Sequence, residues 1–450
     1  MAGFAIADLI GALLLALPVA DRTGRSCGFI NALFTSTAAL SATGLSVMPS
    51  YASWSVLGQT IVIGLVQIGG IGFVTMLGVV FLFTGQQITL KERLIIQESL
   101  NQNHLQGMVQ LVKNIGFGTL LIEGAAAAVL TARFAASSPS LMHAAGLGVF
   151  QSISSFCSAG IDVLGDSSLT KYVSDPIINL VIMALIIAGS LGFTVGLDLL
   201  RVYRGSARKR QTLTAAYRHL KLHTKIVLEM TAVLILFGAL FFFAAEYSNP
   251  ASFGALSPPA KIWAAFFQSV SARTAGYYTV APENLTMSSQ FFILLLMFVG
   301  GPPVGTAGGV KTVTLFIIVI SALSVIRGRN IIISHNRQIH LGVLQGALAV
   351  VIVSVVIVIT GTMLLSVTEK HMTGFQPQFM DFLFEIVAGV STAGMTMGMT
   401  PYLSPAGKLI LCACMFLGRV GPVTVAISLA AQQMRADLGV HYPEETVIIS

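Results

Sequence analysis

The amino-acid sequence predicts an all-α polytopic membrane protein with four tandem repeats, each a helix, a re-entrant loop and a second helix, around one pore. Three observations support this fold class. Of the 450 residues, 55% are hydrophobic and only 10% are charged. Apolar runs approaching or exceeding the roughly 20 residues that span a bilayer recur along the chain, and one small-residue motif occurs four times. A chain of this composition is poorly suited to be a soluble enzyme.

The repeated motif runs from a phenylalanine through small residues to a glycine. Its copies read FTSTAALSATGLSV from Phe34, FQSISSFCSAGIDV from Phe150, FQSVSARTAGYYTV from Phe267 and FEIVAGVSTAGMTM from Phe384. The glycines that end the shared part occur at nearly equal intervals, at Gly44, Gly160, Gly276 and Gly394. Even spacing of this kind indicates fourfold internal duplication.

An apolar run precedes and follows each copy of the motif, which predicts eight transmembrane helices. The preceding runs are 4–19, 109–134, 226–245 and 341–367, and the following runs are 56–83, 177–200, 291–325 and 409–431. Each motif is only about half a span long, so we expect it to enter the membrane and return. Non-helical backbone at that depth must be buried in protein or line a watery cavity. Four such loops can meet on one axis.

Basic residues predict the orientation of these helices. Most Lys and Arg residues fall on the side opposite the four motifs, with a dense stretch at 201–225. The positive-inside rule assigns that side, and with it both termini, to the cytoplasm. The predicted segments are repeat 1 (1–83), an amphipathic cytoplasmic segment with repeat 2 (84–200), a basic cytoplasmic loop with repeat 3 (201–325), a cytoplasmic loop with repeat 4 (326–431) and a cytoplasmic tail (432–450).

Small-residue loops that converge from four sides suit the transport of a dehydrated cation. Rings of backbone carbonyls can replace the hydration shell of K⁺. Glycine permits the backbone conformation that such a ring needs, and it adds no side chain to fill the pore. The alternative is that small residues only allow close helix packing. Four evenly spaced copies, each half a span long, favour the pore.

Other function classes find little support in the sequence. It contains no HExxH motif, no nucleotide-binding glycine loop and no metal-ligand spacing of Cys and His, so we predict no cofactor on this chain and K⁺ as its only metal ion. A proton- or sodium-coupled secondary transporter is the alternative function. Such transporters use two inverted halves with ionisable groups at the midplane, whereas mid-span carboxylates such as Glu123 and Glu229 are few here.

Several segments together carry a resemblance to a known family. FQSVSARTAGYYTV, VSTAGMTMGMTP, LVQIGGIGFVTM, LKERLIIQESLNQ and HYPEETVIIS resemble the membrane subunit of bacterial Ktr potassium-uptake systems, in the Trk/Ktr/HKT superfamily, over essentially the whole chain. The resemblance implies a multi-pass protein of the bacterial cytoplasmic membrane that takes up potassium through a selective, gated, channel-like pore. It also implies a homodimer and a cytoplasmic ring of RCK-type regulatory subunits that bind ATP or ADP. Nucleic acid is not an expected partner, whereas anionic lipid is a plausible one for the basic stretch.

Transferred residue by residue, the resemblance assigns the potassium filter to four tripeptides. They are Ala42-Thr43-Gly44, Ser158-Ala159-Gly160, Thr274-Ala275-Gly276 and Thr392-Ala393-Gly394. None is the complete Thr-Val-Gly-Tyr-Gly of tetrameric potassium channels. A filter with fewer ion sites is therefore expected.

The second helix of repeat 3 is interrupted by FVGGPPVGTAGGVKT from Phe298. Glycine and proline at this density cannot continue a helix, so we expect the helix to be interrupted here. The alternative is that this stretch only kinks the helix. The resemblance makes this interruption an intramembrane gate. The residues assigned to it are Gly300, Gly301, Pro302, Pro303, Gly305, Thr306, Ala307, Gly308, Gly309 and Lys311.

Three charged residues are predicted inside the membrane near these elements. Arg419 is costly in lipid and should face the pore or the loop, and the resemblance makes it a latch beside the gate. Lys311 has a similar expected position, or it extends to the inner surface. We expect Arg273 to pair with Glu385, or with Asp381, and to brace the filter from behind. The alternative is an exposed arginine at the outer mouth.

Overall fold

The computed structural model describes residues 2–72, 76, 78, 108–165, 168–209, 212–329, 331–370, 372 and 374–421. In chain order its helices are α1 Ala2–Leu15, α2 Phe29–Leu40, α3 Ser50–Ser53, α4 Val56–Ile71, α5 Met108–Phe134, α6 Leu141–Phe156, α7 Pro176–Ser190, α8 Phe193–Lys209, α9 Leu213–Arg218, α10 Leu222–Glu246, α11 Pro258–Ser271, α12 Met287–Phe298, α13 Thr312–Ile326, α14 Leu341–Thr368, α15 Phe379–Val390 and α16 Pro405–Val420. Strands β1 Ile332–Ser334 and β2 Arg337–Ile339 form one antiparallel hairpin. The amphipathic stretch from 84, the predicted helix beyond 421 and the tail 432–450 lie outside the described residues.

Most of the helices fall into groups that share one local design. The groups are α1 with α2 and α4, α5 with α6 and α7, α10 with α11 and α12, and α14 with α15 and α16. In each group the short middle helix packs against the first helix. The third helix of each group also packs against the middle helix of the next group, through the pairs α4–α6, α7–α11, α12–α15 and α16–α2. The last pair closes a ring.

The end of the first helix in each group lies beside the start of the third helix. The Oε1 atom of Glu246 accepts a hydrogen bond from Thr286 N at 3.0 Å, and Glu369 Oε2 accepts one from Ser404 N at 3.1 Å. Thr286 and Ser404 are also the N-cap residues of α12 and α16, where a side-chain oxygen satisfies a free helix N–H. The two helices of such a pair therefore run in opposite directions.

The helices have a surface suited to lipid. Among the described residues, Val109–Phe134, Leu222–Glu246 and Leu341–Thr368 are each long and apolar enough to cross a membrane. Large apolar side chains on the first helices remain exposed, including Leu13 at 60%, Phe117 at 70%, Leu240 at 67% and Met363 at 65%. Exposed apolar surface of this extent marks a membrane or protein contact. The fold is that of a helical membrane protein.

The predicted second helix of repeat 2, at 177–200, is not continuous. Helix α7 ends at Ser190, and α8 leaves it at an angle of 99°. Gly192 between them has a φ of 90°, a conformation that glycine adopts readily. The N–H of Phe193, the first residue of α8, donates to the carbonyl of Val304 at 3.2 Å. A contact with a distant loop therefore helps to fix the bend, and the local sequence pattern does not contain that information.

Candidate ion pathway

The four tripeptides share one unusual backbone shape. Each follows the end of a middle helix, and its glycine has a positive φ: 91° at Gly44, 68° at Gly160, 80° at Gly276 and 74° at Gly394. The first residue is also left-handed, with 52° at Ala42, 54° at Ser158, 119° at Thr274 and 50° at Thr392. This conformation costs about 1–3 kcal/mol for a residue other than glycine. Its recurrence indicates that the surrounding packing imposes it.

Hydrogen bonds at the helix ends hold three of the tripeptides in the same way. The middle residue donates its N–H to the carbonyl five residues earlier, from Thr43 to Ala38 at 2.8 Å, from Ala159 to Ser154 at 2.9 Å and from Ala393 to Ala388 at 2.9 Å. This is the hydrogen bond of a Schellman cap. In the third tripeptide Ala275 instead donates to Ser271, four residues earlier, at 2.9 Å. The third copy is therefore built slightly differently.

The tripeptides contact one another in a closed cycle. A Cβ atom added to Gly160 would lie 2.5 Å from the carbonyl oxygen of Ala275, and one added to Gly276 would lie 2.7 Å from that of Ala393. The corresponding atom on Gly44 would meet the carbonyl of Ala159, and that on Gly394 the carbonyl of Thr43, at still shorter range. Each glycine thus faces the middle carbonyl of the next tripeptide in sequence, and the fourth faces the first.

Tyr277 links the third tripeptide to the second motif. Its hydroxyl donates to Ser154 Oγ at 2.6 Å and lies 3.2 Å from the carbonyl oxygen of Ile161. The tyrosine is fully buried, so this polar group needs such partners. The sequence analysis did not identify Tyr277 as a site residue, although a tyrosine directly after the glycine distinguishes this copy of the motif.

The residues between α12 and α13 form an extended connection, named here the 299–311 loop. Its backbone is fastened to the α7–α8 bend: Thr306 N donates to Gly189 O at 3.2 Å, and Val304 O accepts from Phe193 N. Lys311 folds back to donate to Ala307 O at 2.7 Å. The loop has a defined path because these contacts satisfy backbone groups that no helix satisfies.

Arg419 connects the 299–311 loop to the end of α4. Its Nη1 atom donates to the carbonyl of Thr306 at 2.5 Å, and its Nη2 atom donates to the carbonyls of Gly69 and Gly70, the latter at 3.1 Å. Arginine can make such divergent contacts because its guanidinium carries five N–H donors in a fixed plane. The side chain therefore joins elements of the first, third and fourth groups.

The 299–311 loop also touches two of the tripeptides. The Oγ1 atom of Thr306 lies 3.1 Å from Ser158 Oγ. An added Cβ on Gly308 would lie 2.7 Å from the carbonyl of Ser391 and would also meet the hydroxyl of Thr392. Because Gly308 has no side chain, the loop backbone at this position can lie directly against the fourth motif.

The predicted pair of Arg273 and Glu385 does not form. Glu385 is fully buried and accepts hydrogen bonds from the hydroxyls of Thr396 and Thr400. Asp381, the other candidate partner, accepts from Gln378 N at 2.7 Å. Arg273 is not an exposed mouth residue either, since it is only 5% exposed, and its Nε atom has no hydrogen-bond partner among the described residues. The hydroxyl groups of Thr396 and Thr400 bind the Glu385 carboxylate because they lie close to it in the same helix group.

Glycines on the third helices are a feature that the sequence analysis missed. Gly189 packs against the last carbonyl of α6, at Phe156, and similar contacts join Gly69 to Leu40 and Gly418 to Val390. Three residues later each helix meets a glycine with φ near 90°, at Gly72, Gly192 and Gly421. The sequence signal is a repeated G-x-x-G, in GGIG, GSLG and GRVG. The first glycine of each pair lets the end of a middle helix approach closely. The second glycine, with its positive φ, changes the direction of the chain.

Comparisons with known proteins agree with this architecture. Residues 8–437 match the family model TrkH, described as cation transport protein. Ktr system potassium uptake protein B of Bacillus subtilis is 37% identical over 447 residues, covering 99% of this chain and 94% of the relative. Potassium/sodium uptake protein NtpJ of Enterococcus hirae is 34% identical, covering 100% and 96%.

A solved structure has the same fold. The potassium transporter TrkH from Vibrio parahaemolyticus aligns with a TM-score of 0.73 at 16% identity, covering 96% of this chain and 84% of that one. The family model and the B. subtilis and E. hirae relatives cover nearly all of the chain. The chain therefore belongs to the TrkH family of cation transport proteins, and it is a membrane transporter rather than an enzyme.

Proposed function

We propose that this protein takes up potassium through a pore lined by the four tripeptides, which act as its selectivity filter. The observation that carries the proposal is the closed cycle in which each glycine faces the next middle carbonyl. Backbone carbonyls held at such close range can replace the water around K⁺. The substrate is inferred from the relatives, since the protein from B. subtilis is named a potassium uptake protein.

The architecture that best suits this function is four M1-P-M2 repeats with eight spans and four re-entrant loops. Its support is the ring of packing contacts, in which α4, α7, α12 and α16 each reach the middle helix of the next group. The repeats divide near residues 83, 200, 325 and 431, as the sequence suggests. With the loops entering from outside, the basic stretches and both termini are cytoplasmic.

The 299–311 loop is the proposed gate of this pore, and Arg419 is its latch. Arg419 donates to a loop carbonyl and to the end of α4 at once, so it ties the loop to a helix that does not belong to the same group. A glycine-rich loop loses much backbone entropy when it is held in one shape, so specific contacts must hold it. A fixed positive charge near the passage also disfavours a cation there.

Regulation from the cytoplasm is proposed on the basis of the relatives. The relative from B. subtilis is named as part of a Ktr system, which suggests a partner component. We propose a homodimer that binds an RCK-type ring carrying ATP or ADP, with anionic lipid at the basic loop around 201–225. Purified alone, the chain should then show ion flux that does not respond to added nucleotide.

Flux in liposomes tests the proposed function. The purified chain is reconstituted, and ⁸⁶Rb⁺ uptake is driven by a K⁺ gradient alone, then with an added Na⁺ or pH gradient. A channel-like pore gives uptake with K⁺ alone. The potassium/sodium name of the E. hirae relative favours the coupled carrier as the second candidate, and that carrier would need the added gradient. Uptake that appears only with the Na⁺ or pH gradient would replace the pore with the carrier.

A further inference from the structure

Gln67 lies near the end of α4, and its side-chain amide joins two elements of the next group of helices. Its Nε2 atom donates to Glu123 Oε2 on α5, at 3.0 Å. Its Oε1 atom accepts from the thiol of Cys157, the residue that follows α6, at 3.5 Å. The amide therefore connects a carboxyl group and a thiol group across the boundary between the first and second groups.

Cys157 is the residue immediately before the second tripeptide. It is fully buried, and an added Cβ on Gly70 of α4 would lie 2.5 Å from its sulfur, so the thiol packs against that helix. The next residue, Ser158, has a φ of 54°, a conformation that persists only where the surrounding contacts impose it. The contacts of Cys157 are therefore well placed to fix the start of the second tripeptide.

The residues at the same place in the first and fourth motifs make a different contact. Ser41 and Ser391 each directly precede their tripeptide, and each donates its hydroxyl to a backbone carbonyl of its own middle helix. Cys157 instead donates to Gln67, on a helix of the preceding group. The link through Gln67 is thus not a general consequence of the shape of these helix ends.

Glu123 accounts for the orientation of the Gln67 amide. A carboxyl oxygen without a proton can only accept a hydrogen bond, so it binds the NH₂ end of the amide and leaves the carbonyl end for the thiol. Glu123 is only 4% exposed, and its Oε1 atom has no hydrogen-bond partner among the described residues. Burial of such an oxygen is costly, and the contact with Gln67 gives this carboxyl group a role.

We infer that Gln67 and Glu123 are positioning residues for the second tripeptide. Glu123 orients the amide of Gln67, and this amide holds the thiol of Cys157. The inference rests on the proposed function of the tripeptides as a filter. When either contact is lost, the backbone at Ser158 is held less firmly, and carbonyls that are held less firmly discriminate less well between K⁺ and Na⁺.

The first measurement tests the contacts without ion flux. The infrared S–H stretching band shows whether a thiol donates a hydrogen bond, and Cys157 is observed alone when the other three cysteines are replaced by alanine. Gln67→Leu and Glu123→Leu should both shift this band to the position of a thiol without an acceptor. Glu123→Gln should give both bands, because an amide can present either its oxygen or its NH₂ group to Gln67. An unshifted band in Glu123→Leu would overturn the orienting role.

The second measurement is the ratio of ⁸⁶Rb⁺ to ²²Na⁺ flux in liposomes. Gln67→Leu and Cys157→Ala should each lower the ratio about 2-fold to 10-fold, the range expected for one hydrogen bond. The double variant should lower it little further, because the same contact can be lost only once. Glu123→Leu should act like Gln67→Leu. Should Gln67→Leu misfold, Glu123→Leu with Cys157→Ala provides the same comparison.

Cys414→Ala is the matched control for Cys157→Ala. Cys414 is also buried, at 5% exposed, and no hydrogen bond joins its thiol to a described residue. Its replacement removes a buried sulfur of the same size without removing a contact to an amide. The flux ratio of this variant should equal that of wild type.

A shifted S–H band with an unchanged flux ratio would overturn the positioning role, and so would effects that multiply in the double variant. Gly160→Ala separates this failure from that of the proposed filter, since its added Cβ would lie 2.5 Å from the carbonyl of Ala275. If Gly160→Ala impairs flux or selectivity while the Gln67 variant does not, only the positioning role fails. If Gly160→Ala changes neither, the filter itself is wrong.

Discussion

The third group of helices departs from the other three directly below the tripeptides. In α4, α7 and α16 a glycine packs on the last carbonyl of a middle helix, and a second glycine with φ near 90° follows. In the third group the 299–311 loop follows α12, where the other groups have this pair of glycines. The tripeptide layer is similar in all four groups, since each glycine faces the middle carbonyl of the next tripeptide, and the third copy differs only in the hydrogen bond at its helix end and in the φ of its first residue. The layer below is asymmetric, since only the third group carries such a loop among the described residues, and the proposed gate is this loop.

This contrast predicts that small changes in the tripeptide layer abolish transport, whereas changes in the loop layer increase it. The largest effect is expected for Gly394→Ala. Its added methyl would overlap the carbonyl of Thr43, and backbone atoms cannot move aside cheaply. We expect loss of potassium flux in liposomes, with Gly276→Ser similar or slightly milder.

Gly398→Ala is the matched control for Gly394→Ala. Gly398 has a φ of 87°, close to the 74° of Gly394, but an added Cβ there meets no atom within 4 Å. Both substitutions carry the cost of a left-handed residue, and only one carries the overlap. Equal flux in the two variants would mean that backbone strain, and not contact between tripeptides, limits this position.

The next largest effect is expected for Arg419→Ala, in the opposite direction. The substitution removes the hydrogen bonds to Thr306 and to the end of α4, each worth about 1.5–3 kcal/mol because the donor is charged. Basal flux should rise about 10-fold or more. The basal flux of Arg419→Lys should lie between that of wild type and that of Arg419→Ala, since an ammonium keeps the charge but cannot bind both partners at once. Unchanged flux in both variants would exclude a latch at this position.

The sequence predicted the helical membrane fold and the positions of the repeated motifs, because apolar length and repetition are local properties that can be read along the chain. Its failures have two causes. The bend at Gly192 depends on Val304, an element distant in sequence. The partners of Glu385 are nearby hydroxyl groups, at Thr396 and Thr400, whereas the sequence analysis expected a charged partner. The G-x-x-G pairs were visible, but their role depends on the helix ends that they approach. The roles of the tripeptides, the loop and Arg419 stay predictions.

A smaller effect is expected for Tyr277→Phe, which tests how firmly the tripeptide layer is held from the side. Loss of the hydrogen bond to Ser154 should lower potassium over sodium selectivity about 2-fold to 10-fold, in line with about 1 kcal/mol for a neutral hydrogen bond. Tyr278→Phe is the neighbouring control, because no hydrogen bond joins the Tyr278 hydroxyl to a described residue. Equal loss of selectivity in both would indicate a general effect of ring polarity. The readout is the ratio of ⁸⁶Rb⁺ to ²²Na⁺ flux.

The smallest effect is expected for Glu385→Gln, because the carboxylate has no ion-pair partner to lose. Its oxygens accept from Thr396 and Thr400, and an amide oxygen can accept the same hydrogen bonds. The second and third motifs already carry glutamine after their phenylalanine, at Gln151 and Gln268. The midpoint of thermal unfolding and the ion selectivity should therefore stay close to wild type. Glu385→Leu removes the acceptor and should destabilise by about 1–3 kcal/mol, since the buried Thr400 hydroxyl and the partly buried Thr396 hydroxyl lose their carboxylate partner. If glutamine proved as damaging as leucine, the negative charge itself would matter, and pairing with Arg273 would again be the best explanation.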